Sequence, residues 1–478
     1  MEVLCNDFWS ACNNGSGPEL AATISPIAPP IYLNRLEAIY KNTNAATVST
    51  DIGYRLIKSA RTSIQIPNPE IDTWTEIYSA YWYACGNILA AERASSRPDW
   101  AKVYQSWKDL ANVVIKGYTS GALEAWTLPV LYITGQHLRV FAIKADDSAQ
   151  ATGEDSSFRN DVLQEDIASG SKNEKLEDAA RVINRMFTLC ISDRAPLEES
   201  RKWGLYYITN LLFKTYFKLN SISLSKNIIR AISASRVDMP ELDAFPRSHI
   251  VTFKYYHGVI QFLEENYAAA EENLTSAWHM CHRLSKRNIE WVVHLSPRFS
   301  ELILNRLILI YLIPTLLLIK QRLPSPALLS PFPRLSRLFT PLTAAIRSGS
   351  LAAFDAAITE GESEFVKRRI YLTLERGRDI CLRNLLRKVY LAADVDEEGK
   401  RRTRIKIDEF AAAIRLGESH DVSGDSLDVE WRRGRLENDE VECMVSNIIY
   451  KNLMKGYISR VHGIVVLSKT GAFPGTGI

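Results

Sequence analysis

Apolar residues return every three or four positions along most of this chain, and no run before residue 400 alternates as a strand would. Trp74, Ile77, Tyr78, Tyr81, Cys85, Ile88 and Leu89 share one helix face, because side chains three and four apart stack along a helix. Asp99 in "RPDW" is placed to cap the open amides of the next helix. Trp100, Val103, Trp107, Leu110 and Val114 then repeat the pattern, and Gly121 to Phe141 continues it. Further stripes are Val182, Ile183, Met186, Phe187 and Cys190, then Leu205, Ile208, Leu212 and Tyr216, then Leu224, Ile228, Ala231 and Ile232. Successive helices with no sheet to cover must bury each stripe on a neighbour. This predicts an all-α, helical-repeat (TPR/HEAT-like) α-solenoid. The aromatic residues are read as core packing between paired helices.

The most informative stretch is "YYHGVIQFLEENYAAAEENLTSAW" at 255–278. Gly258, Tyr267, Ala270, Leu274 and Ala277 stand at the spacings of a tetratricopeptide-like helix pair. Gly258 and Ala270 let two antiparallel helices approach, and Tyr267 closes the turn. A second pair is expected from "SGSLAAFDAAI" at 348–358 followed by a helix from Glu364. Leu302 to Ile319 is strongly apolar, but Asn305, Arg306, Pro314 and Thr315 interrupt it. It is shorter than the roughly 20 residues a membrane span requires and is read as a buried core helix.

The character changes near the C-terminus. Phe365 to Ala393 reads as one long basic helix, and "RIKIDEFAAAIRL" as another, with Ile405, Ile407, Phe410 and Ile414 inward. After the polar insert "GESHDVSGDSLDVEWRRGRLENDE", a helix is expected from Glu440 to Lys455, ended by Gly456. "YISRVHGIVVLS" supplies two β-rich runs about Gly463, a hairpin signature. Three helices and a hairpin, in that order, predict a winged helix.

Two segments read as lacking regular structure, the second because it is too poor in apolar residues to offset ordering entropy. The first thirty residues, rich in Ser, Asn, Gly and Pro, are expected to be flexible, and Ala145 to Glu177 to form a disordered acidic and polar loop. The domain division that follows is a flexible N-terminus (1–30), N-terminal helical repeats (31–143), the loop (144–178), helical repeats (179–364, with the last part from about 245), the winged helix (365–470) and a tail (471–478). Seven scattered cysteines without a CxxC pair fit a reducing compartment. "MEVLCNDFWSACNN" lacks the basic and apolar regions of a signal peptide.

Motifs that carry chemistry are sparse. His279 and His282 of "WHMCH" share a helix face, but no third Cys or His lies at ligand spacing. "GAFPGTGI" lacks the Lys-Ser/Thr of a phosphate loop and reads as a flexible tail. Acidic pairs such as Glu264–Glu265 are read as solvated helix faces. No enzyme, metal or cofactor is expected. The balance of 58 basic and 55 acidic residues, net +3, does not demand a polyanionic partner overall. Locally, Lys367 to Lys406 holds 13 Lys/Arg against 6 Asp/Glu. Lys400, Arg401 and Arg402, with Arg432, Arg433 and Arg435, extend this basic character. Lys451 and Lys455 are expected on the third helix of the winged helix, the one that enters a groove in related folds. Arg460, His462 and Lys469 are expected on or beside the wing. These residues are the candidate nucleic-acid contacts, phosphate-directed and salt-dependent.

Helix pairs capped by a winged helix resemble the PCI module of the proteasome lid, the COP-nine signalosome and a translation initiation factor. "FPRSHIVTFKYYHGVIQFLEENYAAAEENLTSAWHMCH", "EFVKRRIYLTLERGRDICLRNLLRKVY" and "KGYISRVHGIVVLSKTGAFP" are similar to the fungal signalosome subunit-twelve-like proteins, relatives of the PCI subunit of the nuclear-pore mRNA-export complex. The similarity runs from about residue 31 and is strongest over 201–290 and 307–470. It implies a non-catalytic scaffold in nuclear mRNA export or splicing, with a Sac/GANP-type helical scaffold protein and a small acidic Sem/Dss-type protein as partners. The alternative it implies is an accessory signalosome subunit, beside other signalosome PCI subunits, with purely protein contacts. It implies no membrane association. The basic surface at Lys367, Arg368, Arg369 and Arg376 is the complement expected for the acidic partner. The family's sequence runs almost directly from "CHRLSKRN" to "LILIYLIPT"; here "WVVHLSPRFSELILNR" (291–306) intervenes and is read as an insertion, of the kind translated intron sequence produces.

Overall fold

The computed structural model describes residues 2–30, 32–59, 67–94, 98–154, 173–281, 303–393, 401–418 and 437–477. These form two compact units, Met1–Tyr256 and His257–Ile478.

The first unit is helical throughout: α1 (Glu2–Asn13), α2 (Gly17–Thr23), α3 (Arg35–Lys41), α4 (Val48–Ser59), α5 (Asn68–Arg93), α6 (Trp100–Thr119), α7 (Leu128–Glu154), α8 (Glu174–Ile191), α9 (Leu205–Lys218), α10 (Ile222–Ala234) and the first part of α11 (Arg247–Leu263). Neighbouring long helices run antiparallel. On α5 and α6, Glu76 near the start of one binds Lys116 near the end of the other. On α6 and α7, the Trp107 indole donates to the Thr134 carbonyl at 2.9 Å. The aromatic stripes are core: Trp74, Tyr78, Tyr81, Trp107 and Tyr118 are fully buried. Asp99 caps α6 by accepting from the Lys102 amide at 3.1 Å.

In two segments expected to lack order, described residues are helical. Within residues 1–30, α1 buries Leu4, Phe8 and Trp9, and the Trp9 indole donates to the Leu56 carbonyl. Ser16 caps α2, and the Thr23 hydroxyl meets that of Tyr78 at 2.9 Å. The Ser, Asn, Gly and Pro around it concealed this short apolar stripe. Within 144–178, α7 continues to Glu154 and α8 begins at Glu174. Asp146 on α7 accepts from the Lys175 and Leu176 amides at 3.0 and 2.9 Å, so one helix caps the next. Residues 155–172 lie outside the described residues.

The second unit continues with α12 (Tyr267–Met280), α13 (Ile303–Lys320), α14 (Pro326–Leu329), α15 (Pro333–Ser348), α16 (Leu351–Lys367), α17 (Tyr371–Glu375), α18 (Gly377–Ala392), β1 (Arg404–Lys406), α19 (Ile407–Glu418), α20 (Asn438–Tyr450), β2 (Gly456–Ser459) and β3 (Ile464–Leu467). The pair α11–α12 is built as its residues require. Ala270, Leu274 and Ala277 are buried, a Cβ at Gly258 would stand 2.8 Å from Leu274 Cγ, and Tyr267 packs edge-on against Phe262. The second pair is α15–α16, joined at Gly349 with φ of 74°. α16 runs unbroken through Glu364, so the expected break before that residue is absent. α13 is the expected core helix, with Ile308, Leu309, Leu312 and Leu317 buried. Among the described residues no helix is long and apolar enough to cross a membrane. The insertion expected at 291–306 lies outside the described residues up to 302.

The long helix expected over 365–393 is three. α16 stops at Lys367, Arg369 adopts φ of 57°, and the Ile370 amide returns to the Phe365 carbonyl. This turn carries Ile370 into the core beside Phe365, both fully buried. The sheet order is β1-β3-β2, antiparallel throughout. Ile405, Val465 and Leu467 line its inner face, over α19 and α20. The C-terminal segment is docked rather than free. Phe473 is fully buried against Tyr390, the Lys455 amide donates to the Ala472 carbonyl, and buried Arg383 donates to Gln321 and the Pro474 carbonyl.

Candidate interaction surface of the winged helix

The third helix, α20, buries Val441, Val445 and Ile448 and turns its other positions outward. It stops at Tyr450, five residues before the expected end. Lys451, Asn452 and Leu453 donate their amides to Asn447, Ile449 and Ile448, and Asn452 takes φ of 56°, a conformation Asn tolerates better than most residues. Gly456 is therefore no helix cap. It opens β2, where a Cβ would stand 2.4 Å from the Val466 carbonyl oxygen.

This end point changes the charge of the helix. Lys451 and Lys455 fall beyond it, and α20 itself holds Asp439, Glu440 and Glu442 but no Lys or Arg. The acids sit in the first turns, where they complement the helix dipole. Arg460 lies between the wing strands and is held by this helix, 3.4 Å from Glu442 and 3.8 Å from Asp439. Lys451 binds Asp379 at 2.6 Å. Arg402 is engaged by Glu409, and Arg401 donates to the Leu391 carbonyl. Lys455, His462 and Lys469 are exposed. Lys400, Arg432, Arg433 and Arg435 lie outside the described residues. The expected basic recognition helix is thus an acidic one, and several of the expected contacts are already ion-paired.

The surface expected for an acidic partner is split by the turn after α16. Lys367 and Arg369 are exposed and Arg368 is half-buried. Arg376 binds Glu265 at 3.1 Å and reaches the Tyr267 hydroxyl at 3.4 Å. Arg376 thereby ties α17 and α18 to the turn of the α11–α12 pair, a structural task that its sequence position did not reveal.

Sequence reasoning also missed the outer face of the sheet. Its strand register sets Arg404 opposite Val466 and Val466 opposite Tyr457; the next outward row is Lys406, Ile464 and Ser459. The clue was available, since Ile405 and Ile407 inward place Arg404 and Lys406 outward. A cleft of about 350 Å³ in the first unit is lined by Ser49, Glu76, Ser79, Tyr83 and Asp109. Lys116 engages Glu76 and Gln105 donates to Asp109. No group of three metal-ligating side chains stands together among the described residues.

The helical array ending in a three-stranded winged helix defines a PCI-domain protein, and the PCI domain family matches residues 360–469. The full chain is 49% identical to "Protein CSN12 homolog" of Neurospora crassa over 485 residues, covering all of both chains. It is 47% identical to the protein of that name from Gibberella zeae, again over the whole of each. "PCI domain-containing protein 2" of Xenopus laevis is 29% identical across 93% of this chain and 96% of its own. The chain belongs to the family of CSN12 homologs.

Proposed function

We propose that this protein is a non-catalytic scaffold subunit of a PCI-type complex in nuclear mRNA metabolism, in transcription-coupled export or splicing. It holds a Sac/GANP-type helical scaffold protein and a small acidic Sem/Dss-type protein, and its winged helix contacts RNA or DNA. The observation that carries the scaffold reading is the winged helix itself. Its third helix is acidic, its wing arginine is spent on that helix, and both outer strands of the sheet, β1 and β2, are edges. Such a module is suited to protein contact on several sides, while the exposed Lys455 and Lys469 remain for a polyanion.

The deciding experiment is affinity purification of the full-length protein from its own cells with mass spectrometry of what travels with it. Recovery of a large helical scaffold protein and a small acidic protein supports the reading. Recovery of the signalosome subunits instead, with altered deneddylation on deletion, supports the accessory-subunit reading that the CSN12 name favours. Recovery of neither group overturns both.

A further inference from the structure

The acidic recognition helix raises the question of where a nucleic acid could touch this winged helix. The sheet answers it. Residues paired across an antiparallel sheet share a face, so Arg404, Val466 and Tyr457 form one outward row, and Lys406, Ile464 and Ser459 the next. Arg404 and Lys406 are exposed, and Tyr457 is 64% exposed. Val466 and Ile464 are half-exposed and floor the space between. Lys455, two residues before Tyr457, is also exposed and continues the row of outward positions along that strand. None of these residues is acidic. Among the described residues, Arg404, Lys406 and Lys455 have no salt-bridge partner, whereas Lys451, Arg402 and Arg460 each have one.

We infer that the outer face of the β1-β3-β2 sheet is a binding surface for single-stranded nucleic acid, in which Tyr457 stacks a base and Arg404, Lys406 and Lys455 hold the phosphates. This deepens the proposed nucleic-acid contact and rests on it, but moves the contact from the third helix to the strands. The chemistry favours a nucleic acid over an acidic peptide. Alternate strand residues stand about 6.6–6.8 Å apart, comparable to successive phosphates of an extended single strand. An aromatic ring standing on an otherwise aliphatic floor offers a π-face that unstacked bases use and carboxylates do not. A duplex, whose bases are already stacked, gains only the charge contacts.

The test is fluorescence anisotropy of the full-length protein with a labelled 15-nucleotide oligouridine and with a duplex RNA of equal length, at about 100 mM salt. The wild type is expected to prefer the single strand. Tyr457→Ala should weaken binding at least about five-fold, Tyr457→Phe should restore it, and both should leave the duplex affinity unchanged. Arg404→Gln with Lys406→Gln should weaken binding to both and lower the slope of log affinity against log salt by about 1.4 for the single strand. These are exposed positions, and unchanged melting temperatures check the fold. If the wild type binds neither probe, the nucleic-acid reading itself fails. If it binds but all these variants match it, nucleic-acid contact survives and this face is not its seat. If polyglutamate of equal charge competes as well as oligouridine and Tyr457→Ala changes nothing, the face belongs to an acidic protein segment.

Discussion

Gly258 has room for a hydrogen and little more. A Cβ there would stand 2.8 Å from Leu274 Cγ and 3.3 Å from the Leu274 backbone nitrogen, so the backbone of α12 would have to move. Gly258→Leu is expected to destabilise the α11–α12 pair by about 1–3 kcal/mol, measured as a lowered melting temperature. Two buried titratable groups contribute to the acid response. Burial lifts the Asp193 carboxyl, but the Arg201 guanidinium at 2.7 Å, the Arg201 amide and the Ser200 hydroxyl outweigh it and hold the group at about 2. Burial, with Lys144 nearby, lowers His137 to about 4. Both are below their unfolded values of about 3.9 and 6.5, so each contributes stability that is complete above the unfolded value and lost on acidification. His137 should cost stability between about pH 6.5 and 4, and Asp193 between about pH 4 and 2. Denaturant midpoints measured across this range should fall in two stages, and His137→Phe should flatten the first. Asp99 was legible because it caps an amide three residues on, and Gly258 and Ala270 because they stand at the spacings of a helix pair. Asp193 and Arg376 were not: the shape of an irregular turn brings Arg201 to Asp193, and the packing of elements far apart in the chain brings Arg376 to Glu265.

Element ends were harder to read than element faces. The inward positions of α19 and of the strands followed from their spacing, whereas α20 ended early because an Asn takes the left-handed turn that a Gly was expected to supply. The basic run after Phe365 broke because Ile370 is pulled into the core. The C-terminal segment looked like a glycine-rich tail, yet one aromatic side chain anchors it: Phe473 is fully buried against Tyr390. Phe473→Ala is expected to cost about 3–5 kcal/mol, seen as a lower midpoint in chemical unfolding and as faster proteolysis of the C-terminal end. Arg460→Ala, which breaks the ion pairs of an exposed arginine, should change stability by less than about 1 kcal/mol.

At the scale of the molecule, the helical architecture and the winged-helix end were visible in the sequence because apolar period and chain order dictate them. The first thirty residues were not, because their Ser, Asn, Gly and Pro read as loop although Leu4, Phe8 and Trp9 seal a core. Thiol chemistry tests that packing as a whole. Cys5, Cys12, Cys85, Cys190, Cys281 and Cys381 are buried and Cys443 is exposed, and burial pushes Cys12, Cys85, Cys190 and Cys381 up to about 12. Native protein at neutral pH should take one equivalent of iodoacetamide, at Cys443, and seven after denaturation, read by peptide mass spectrometry. Early labelling of Cys5 or Cys12 would show that α1 is not seated.

The carboxylate of Asp146 fastens the start of α8 to the body of α7. Asn173, the residue just ahead of α8, makes no side-chain cap of its own, so the open amides of the first turn are met from the side. The seating of α8 is thus written into α7, and a change at this one acid would loosen the first turn of a helix that begins 28 residues further on.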